Sequence, residues 1–430
     1  MKRSVRRYLW QKMALILSFL LAMTVALVGC NQTQVAQPSS VTVLGQFAGE
    51  QQKSFELSLA PFEAKTGIDV IYESTDAFTS LIETRVGTGK TPDLAIFPQP
   101  GLMADYAQQG LLVPLTNFMH KRSLKTAYPD TWLDLGAVEG ELYAIWYRAS
   151  VKSLVWYRPT AFEAKGYDIP NTWSALVALS DRIVAEGGTP WCIGLESGEA
   201  TGWPATDWVE DILLRKAGPE AYSQWIDHQL PFSSPEVIKA FDEFGKFLKT
   251  PQYVYESAAQ SADISYEDAI LGIFKDPPDC YLHRQGNFIA DAIPTGKEPR
   301  VDYDVFPLPG IDERFGMPIL VGGDAIAMFH STPASRALMS YLASPTPAEI
   351  RVKLGGFISP QKQIPVEAYP NAVDQKIVQI LIDADTIRFD ASDLMPGSVG
   401  TGSFWQGMID FAKGKSATEV AKEIDDSWPK

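Results

Sequence analysis

Between residues 41 and 110 the chain alternates β-rich runs with helix-period segments three times, and this alternation sets the class of fold. The first run, 41–46, precedes a segment at 54–66 with Phe55, Leu59 and Phe62 at helical spacing and Gly67 as its stop. Residues 68–72 are again strand-like, and Asp76 can cap a helix that carries Leu81, Ile82 and Val86 and closes at Gly87. A third run, 93–97, leads to a helix marked by Leu102 and Tyr106 and ended by Gly110. Such strand–helix units call for parallel strands with helices over their faces, an α/β fold. In these sheets ligands occupy the crevice beyond the carboxyl ends of the strands. Those ends fall at FAGEQ (47–51), ESTD (73–76) and PQPG (98–101), which directs Glu50, Gln51, Asp76 and Gln99 toward one cleft. Singly, each has the character of a solvated loop residue or a helix cap. Their convergence is the signal.

Ahead of this unit, Lys2, Arg3, Arg6, Arg7 and Lys12 precede an apolar run at 13–28 broken only by Ser18 and Thr24. That is the layout of a secretory signal, and the run is shorter than the ~20 residues a membrane-spanning helix needs. The stretch LVGC at 27–30 resembles the lipobox of bacterial lipoproteins. The resemblance implies a signal peptide at 1–29, lipidation of Cys30, and a mature chain that begins there. The protein would be exported and lipid-anchored to the cell membrane, facing the periplasm or the exterior. The alternative is an ordinary signal peptide whose cleavage site lies near a cysteine. Residues 30–40 are polar without an apolar period and read as a tether.

The remaining chain, about 400 residues, exceeds what one compact core usually holds, so two lobes are expected. The whole chain carries a net charge of −15, and the basic leader makes the remainder more acidic still. Such a surface repels phosphate backbones and anionic lipid heads, which argues against nucleic acid as a partner. Besides Cys30 there are only Cys192 and Cys280, a single possible pair. A disulfide is the expectation for an exported protein, with two buried free thiols as the alternative. The four histidines have no ligand-like spacing, so no metal is expected. The chain has neither HExxH nor GxSxG. GKT at 89–91 lacks the upstream glycine of a phosphate loop, and GTG at 400–402 lacks the third glycine of a dinucleotide turn. No cofactor is expected. Carboxylate pairs abound in so acidic a chain, so an exported glycoside hydrolase stays open as the alternative function.

Farther along, residues 143–156 are extended and apolar, and Thr172 can cap a helix with Leu176, Leu179 and Ile183 on one face. Trp173 there reads as core. Residues 203–216 form a helix with Val209, Ile212 and Leu213 as its stripe and Asp207 and Asp211 together on another face, Trp203 and Trp208 lying near its start. Residues 319–329 read as a strand, a sharp turn at Gly322–Gly323 with Asp324, and a second strand. A last pair of features is FW at 404–405 and a helix from about Gln406.

In sequence, FEAKTGIDV, KTPDLAIF, YAQQGLLVPL, PNTWSAL, GGDAIAMF, GGFISP and MPGSVGTGSFWQGM resemble the extracellular solute-binding proteins of bacterial ABC importers, in the carbohydrate branch that includes maltodextrin-binding proteins. The fold this implies is α/β, two-lobed, of type II, with a hinge. Mapped here, lobe one covers 41–147 and 318–356, lobe two 152–306 and 360–430, and hinge crossings fall at 148–151, 307–317 and 357–359. WPATDWVEDILL, CYLHRQGNF and FDASDLMPGSVGTGSFW resemble the sub-branch that binds small α-glucosides: sucrose, trehalose and glucosylglycerol. The resemblance implies a monomeric binding protein that passes its sugar to membrane permease subunits and catalyses nothing. It implies ring stacking by Trp405 and hydroxyl binding by Glu50 and Gln51. With Asp76 and Gln99, the further candidates are Tyr147, Trp203, Asp207, His283, Gln285, Gly323, Asp324, Met395 and Gly397. His283-Arg284-Gln285 stands where the family usually shows Gly-x-Trp, a departure that suggests a different, shorter ligand. A pyranose offers an apolar C–H face and a rim of hydroxyls, so indole rings and ionised carboxylates suit it on both counts.

Overall fold

A computed structural model describes residues 40–429. The expected signal peptide at 1–29, Cys30 with its lipid, and the tether up to residue 39 lie outside the described residues.

β1 (Ser40–Gly45), α1 (Gly49–Thr66), β2 (Asp69–Ser74), α2 (Phe78–Thr88), β3 (Leu94–Phe97) and α3 (Pro100–Gln108) follow one another as the alternation requires. β1 pairs in parallel with β2 on one side and β3 on the other, with Val43 opposite both Tyr72 and Leu94. β3 is buried throughout, which is why its sequence is an unbroken apolar run rather than an alternation. α1 buries Phe55, Leu59 and Phe62, the spaced apolar set, but it begins earlier than the spacing predicts, at Gly49. Asp76 does not cap α2. Ala77 holds that position without a side-chain bond.

β4 (Ala144–Val151) and β5 (Leu154–Tyr157) carry the chain out of this sheet. α4 (Trp173–Ala185), α5 (Trp203–Ile226) and α6 (Pro235–Lys249) follow, then β6 (Leu282–Arg284) and β7 (Asp304–Pro307). β5 lies between β6 and β7 in a small antiparallel sheet. β8 (Ile319–Met328) returns to the first sheet and pairs antiparallel with β4 and β3. The turn expected at Gly322–Gly323 is absent, since β8 is one continuous strand with a bulge between Asp324 and Ala325. Gly323 serves strand contact instead: a Cβ there would lie 2.3 Å from the Arg148 carbonyl oxygen. α7 (Pro333–Leu342), α8 (Pro345–Leu354), α9 (Ala372–Ile382), β9 (Ile387–Phe389), α10 (Trp405–Ala412) and α11 (Ala417–Ser427) complete the chain. β9 adds to the first sheet in parallel with β8.

Two apolar cores result. One gathers Val43, Phe55, Phe97, Trp146, Ile326 and Phe357 around the large sheet. The other gathers Trp191, Trp208, Trp225, Phe244, Phe404 and Met408 around α5, α6 and α10. Ile364, Val373, Ile377 and Phe389 pack in the first core, although they fall within the 360–430 stretch that the sequence reading places in the second lobe. The cause is β9, whose pairing draws its surroundings to the large sheet. Cys192 and Cys280 are bonded, their Cα atoms 5.4 Å apart, and they also touch the first core.

Candidate functional site

A cavity of about 480 Å³ opens beyond the carboxyl ends of β1, β2 and β3, within the size range of small-ligand sites. From the large-sheet side, Phe47, Gln51, Asp76 and Gln99 line it, together with Arg148 of β4 and Gly323 and Asp324 of β8. From the other side come Glu196, Lys152, Trp203 at the start of α5, Tyr266, Phe288, Asp393 and Trp405. Seven of the sequence candidates therefore meet in one place: Gln51, Asp76, Gln99, Trp203, Gly323, Asp324 and Trp405. Gln99, which lines the cavity, is buried, and its Oε1 has no hydrogen-bond partner among the described residues.

The other candidates sit elsewhere, each for a physical reason. Glu50 is exposed on the first turn of α1 beside Lys53. Tyr147 is core: its ring packs edge-on against Phe55 and Phe357, and its hydroxyl lies 3.3 Å from Ser58 Oγ. Asp207 is fully buried behind the cleft wall, where Lys152 Nζ donates to its Oδ1 at 3.0 Å. His283 is buried on β6, hydrogen-bonded through Nδ1 to the Cys192 carbonyl, and burial pushes its pKa down to about 4. Gln285 is buried and accepts from the Gly286 amide. Met395 is core, and the Gly397 carbonyl accepts from Thr401. Apolar alternation cannot tell a strand residue that faces a cleft from one that faces a core.

The sequence reading missed Tyr266 and Phe288. Their rings stand 5.0 and 5.7 Å from the Trp203 centroid, edge to face, so the three form one aromatic wall. Phe288 closes the CYLHRQGNF motif, in the region where the family shows its Gly-x-Trp. It also missed Arg148, whose Nε donates to Asp324 Oδ2 at 2.5 Å and whose Nη1 donates to Gln51 Oε1 at 3.2 Å. Gln51 Nε2 in turn donates to Asp291 at 2.7 Å, so one polar chain runs from β8 to the segment after β6.

Behind the wall lies a buried charge cluster. Lys152 Nζ bonds Asp207 and Asp390, and lies 5.2 Å over the Trp203 ring. Arg284 binds Asp211, which also pairs with Arg215 one turn along α5. Burial pushes Asp207 up, whereas Asp390 is held below the usual carboxylate range against the same burial by the Lys152 ammonium and by a hydrogen bond from Asp207. Two close carboxylates that share one ammonium thus split their titrations. Asp207, Glu210 and Asp390 bring oxygens within 4.8 Å of one another, a spacing a metal could use, but Lys152 already supplies positive charge to two of them. Glu210 accepts from Tyr222 and from the Ala391 and Ser392 amides, which fixes the segment that leads to Trp405.

The family model for bacterial extracellular solute-binding proteins matches residues 48–349. The chain belongs to that family. Over 390 residues this solute-binding protein is 51% identical to an osmoprotective compounds-binding protein, GgtB, of Synechocystis sp., covering 91% of this chain and 92% of that one. It is 41% identical over 397 residues to an alpha-glucosides-binding periplasmic protein, AglE, of Rhizobium meliloti, covering 90% and 87%. Among solved structures, the bacterial solute receptor AcbH superposes with a TM-score of 0.78 at 19% identity, covering 91% and 98% of the two chains. Maltose-bound MalE3 of T. maritima gives 0.73 at 18%, covering 90% and 98%. The solute-binding protein has the two-lobed type II fold of these sugar receptors.

Proposed function

We propose that the protein captures a small neutral α-glucoside, of the size of glucosylglycerol, sucrose or trehalose, and delivers it to the permease of an ABC importer. The observation that carries the reading is the meeting of the Trp203–Tyr266–Phe288 wall and Trp405 with Gln99, Gln51 and Asp324 in one cleft. Aromatic faces cover the sugar's C–H surface, while the unpartnered Gln99 oxygen and the carboxylates take hydroxyl protons. The names of the two close relatives, osmoprotective compounds-binding and alpha-glucosides-binding, support the ligand class. Glu50, Tyr147, Asp207, His283, Gln285, Met395 and Gly397 are left out of the contact set on their positions.

In this reading the protein is a monomer, exported and anchored through lipid on Cys30. Its lobes close by a hinge at 148–151, 307–317 and 357–359, with the boundary after the third crossing moved to about residue 390 by β9. It turns nothing over. The test is to heat the mature protein with glucosylglycerol, sucrose, trehalose or maltose and to assay the same mixtures for released monosaccharide. At a hundredfold excess over Kd, a native-state ligand stabilises by about 2.7 kcal/mol. A raised melting temperature without cleavage is expected. Cleavage would instead establish the hydrolase.

A further inference from the structure

Charge in the cleft is distributed in a way that neutral-sugar binding does not require. The cavity and a smaller one that adjoins it, sharing Gln46, Asp76, Gln99, Ala200 and Trp405, carry Asp76, Glu83, Glu196, Glu199 and Glu267 on their walls. Among the described residues none of these five has an ion-pair partner. Glu196 accepts from the Gly198 amide, Glu199 from Ser80 and Glu267 from Tyr266. Among the described residues the only cations on the walls are Arg148 and Lys152, and both are already paired. Arg148 is held by Asp324, and Lys152 by Asp207 and Asp390 from behind. Among the described residues no cation lines the smaller cavity. Asp393 is set aside, because burial beside Asp390 pushes its carboxyl well up.

We propose that the cleft is a charge filter: the unpaired carboxylates Asp76, Glu83, Glu196, Glu199 and Glu267 make the protein reject anionic glycosides, such as those ending in a carboxylate or phosphate, in favour of neutral ones of equal size. This rests on the glycoside-binding reading and adds the property that decides between ligands of one shape. A ligand anion would meet several like charges at once, four of them (Asp76, Glu83, Glu199 and Glu267) on exposed side chains whose field salt can screen, and among the described residues no free ammonium or guanidinium on the walls is available to receive it. Discrimination by repulsion needs no contact that the favoured ligand lacks.

The experiment compares, by calorimetry, α-glucosylglycerol with α-glucosylglycerate, which differ by a primary alcohol against a carboxylate. In low salt the anion is expected to bind at least about tenfold more weakly, equivalent to 1.4 kcal/mol. At about 0.5 M salt the gap should narrow, because screening shortens the reach of the wall charges. A Glu83→Gln, Glu196→Gln, Glu267→Gln variant should reduce the ratio of the two affinities. The ratio is the readout, so a general loss of binding does not mimic the effect. Equal binding of both ligands overturns the filter while leaving the glycoside reading intact. A gap that neither salt nor the variant changes also overturns it, since rejection would then be steric. Binding of neither ligand overturns the filter, since no preference for the neutral one exists; the glycoside reading ends only if sucrose, trehalose and maltose also fail to bind.

Discussion

Lys152 has two duties that pull on one side chain. Its ammonium is needed by Asp207 and Asp390, and its stem lies against β8, where a Cβ on Gly322 would come within 2.7 Å of its Cε. Lys152→Met keeps the stem and removes the charge, leaving buried Asp390 without its cation and Asp207 with Arg284 alone, Nη1 to Oδ2 at 3.3 Å. The expected cost is about 3–5 kcal/mol in chemical denaturation; a loss under about 1 kcal/mol would show that the cluster tolerates the missing charge. Trp203 is a cleaner probe of binding, because it is only partly buried and its partners are aromatic. Trp203→Ala is expected to weaken glucoside binding about tenfold to hundredfold with the fold retained. His283 makes a pH prediction. An unfolded histidine takes its proton near 6.5, whereas burial holds this ring to about 4. The stability gained by keeping it neutral is therefore full above about 6.5 and is lost as pH falls toward 4. In an NMR titration its ring signals should hold still from pH 7 to 5; a shift centred near 6.5 would contradict the burial argument.

At the scale of elements, α5 does the most. It enters at Gly202 with φ 114°, a conformation that L side chains rarely adopt, and a Cβ there would sit 2.3 Å from the Trp405 carbonyl oxygen. Gly202→Ala is thus expected to cost more than about 2 kcal/mol and to disturb Trp203 and Trp405 together, read as lower stability and weaker glucoside binding. The cystine joins residues 88 apart in sequence, and its reduction is expected to cost about 2–5 kcal/mol, measured by denaturation with and without reductant. Local pattern revealed what is local. Phe55, Leu59 and Phe62 marked α1, the buried run at 94–97 marked β3, and the strand ends pointed to Gln51, Asp76 and Gln99. Long-range placement stayed hidden. Asp207 and Asp211 share one helix face, which put Asp207 among the expected ligand contacts, but residues 204–215 of α5 are buried throughout, and the charges that neutralise them come from Lys152, Arg215 and Arg284. Gly322–Gly323 looked like a turn because glycine also marks turns, whereas here Gly323 lets two strands approach. Tyr266 and Phe288 are scattered aromatics that only folding brings beside Trp203.

At the scale of the molecule, two cores and the segments that pass between them leave one cleft walled from both sides. A ligand that touches both walls favours the state in which they are close, and a transporter can read that state. The polar chain Asp324–Arg148–Gln51–Asp291 and the Ser80–Glu199 bond cross between segments far apart in sequence and tie the two walls of the cleft together. A crystal structure of the mature protein grown with α-glucosylglycerol tests directly whether this cleft holds the sugar. The glucose ring is expected against Trp203 or Trp405, with its hydroxyls on Gln99 and Asp324. Sugar bound on another surface, with those four side chains unoccupied, would contradict that expectation.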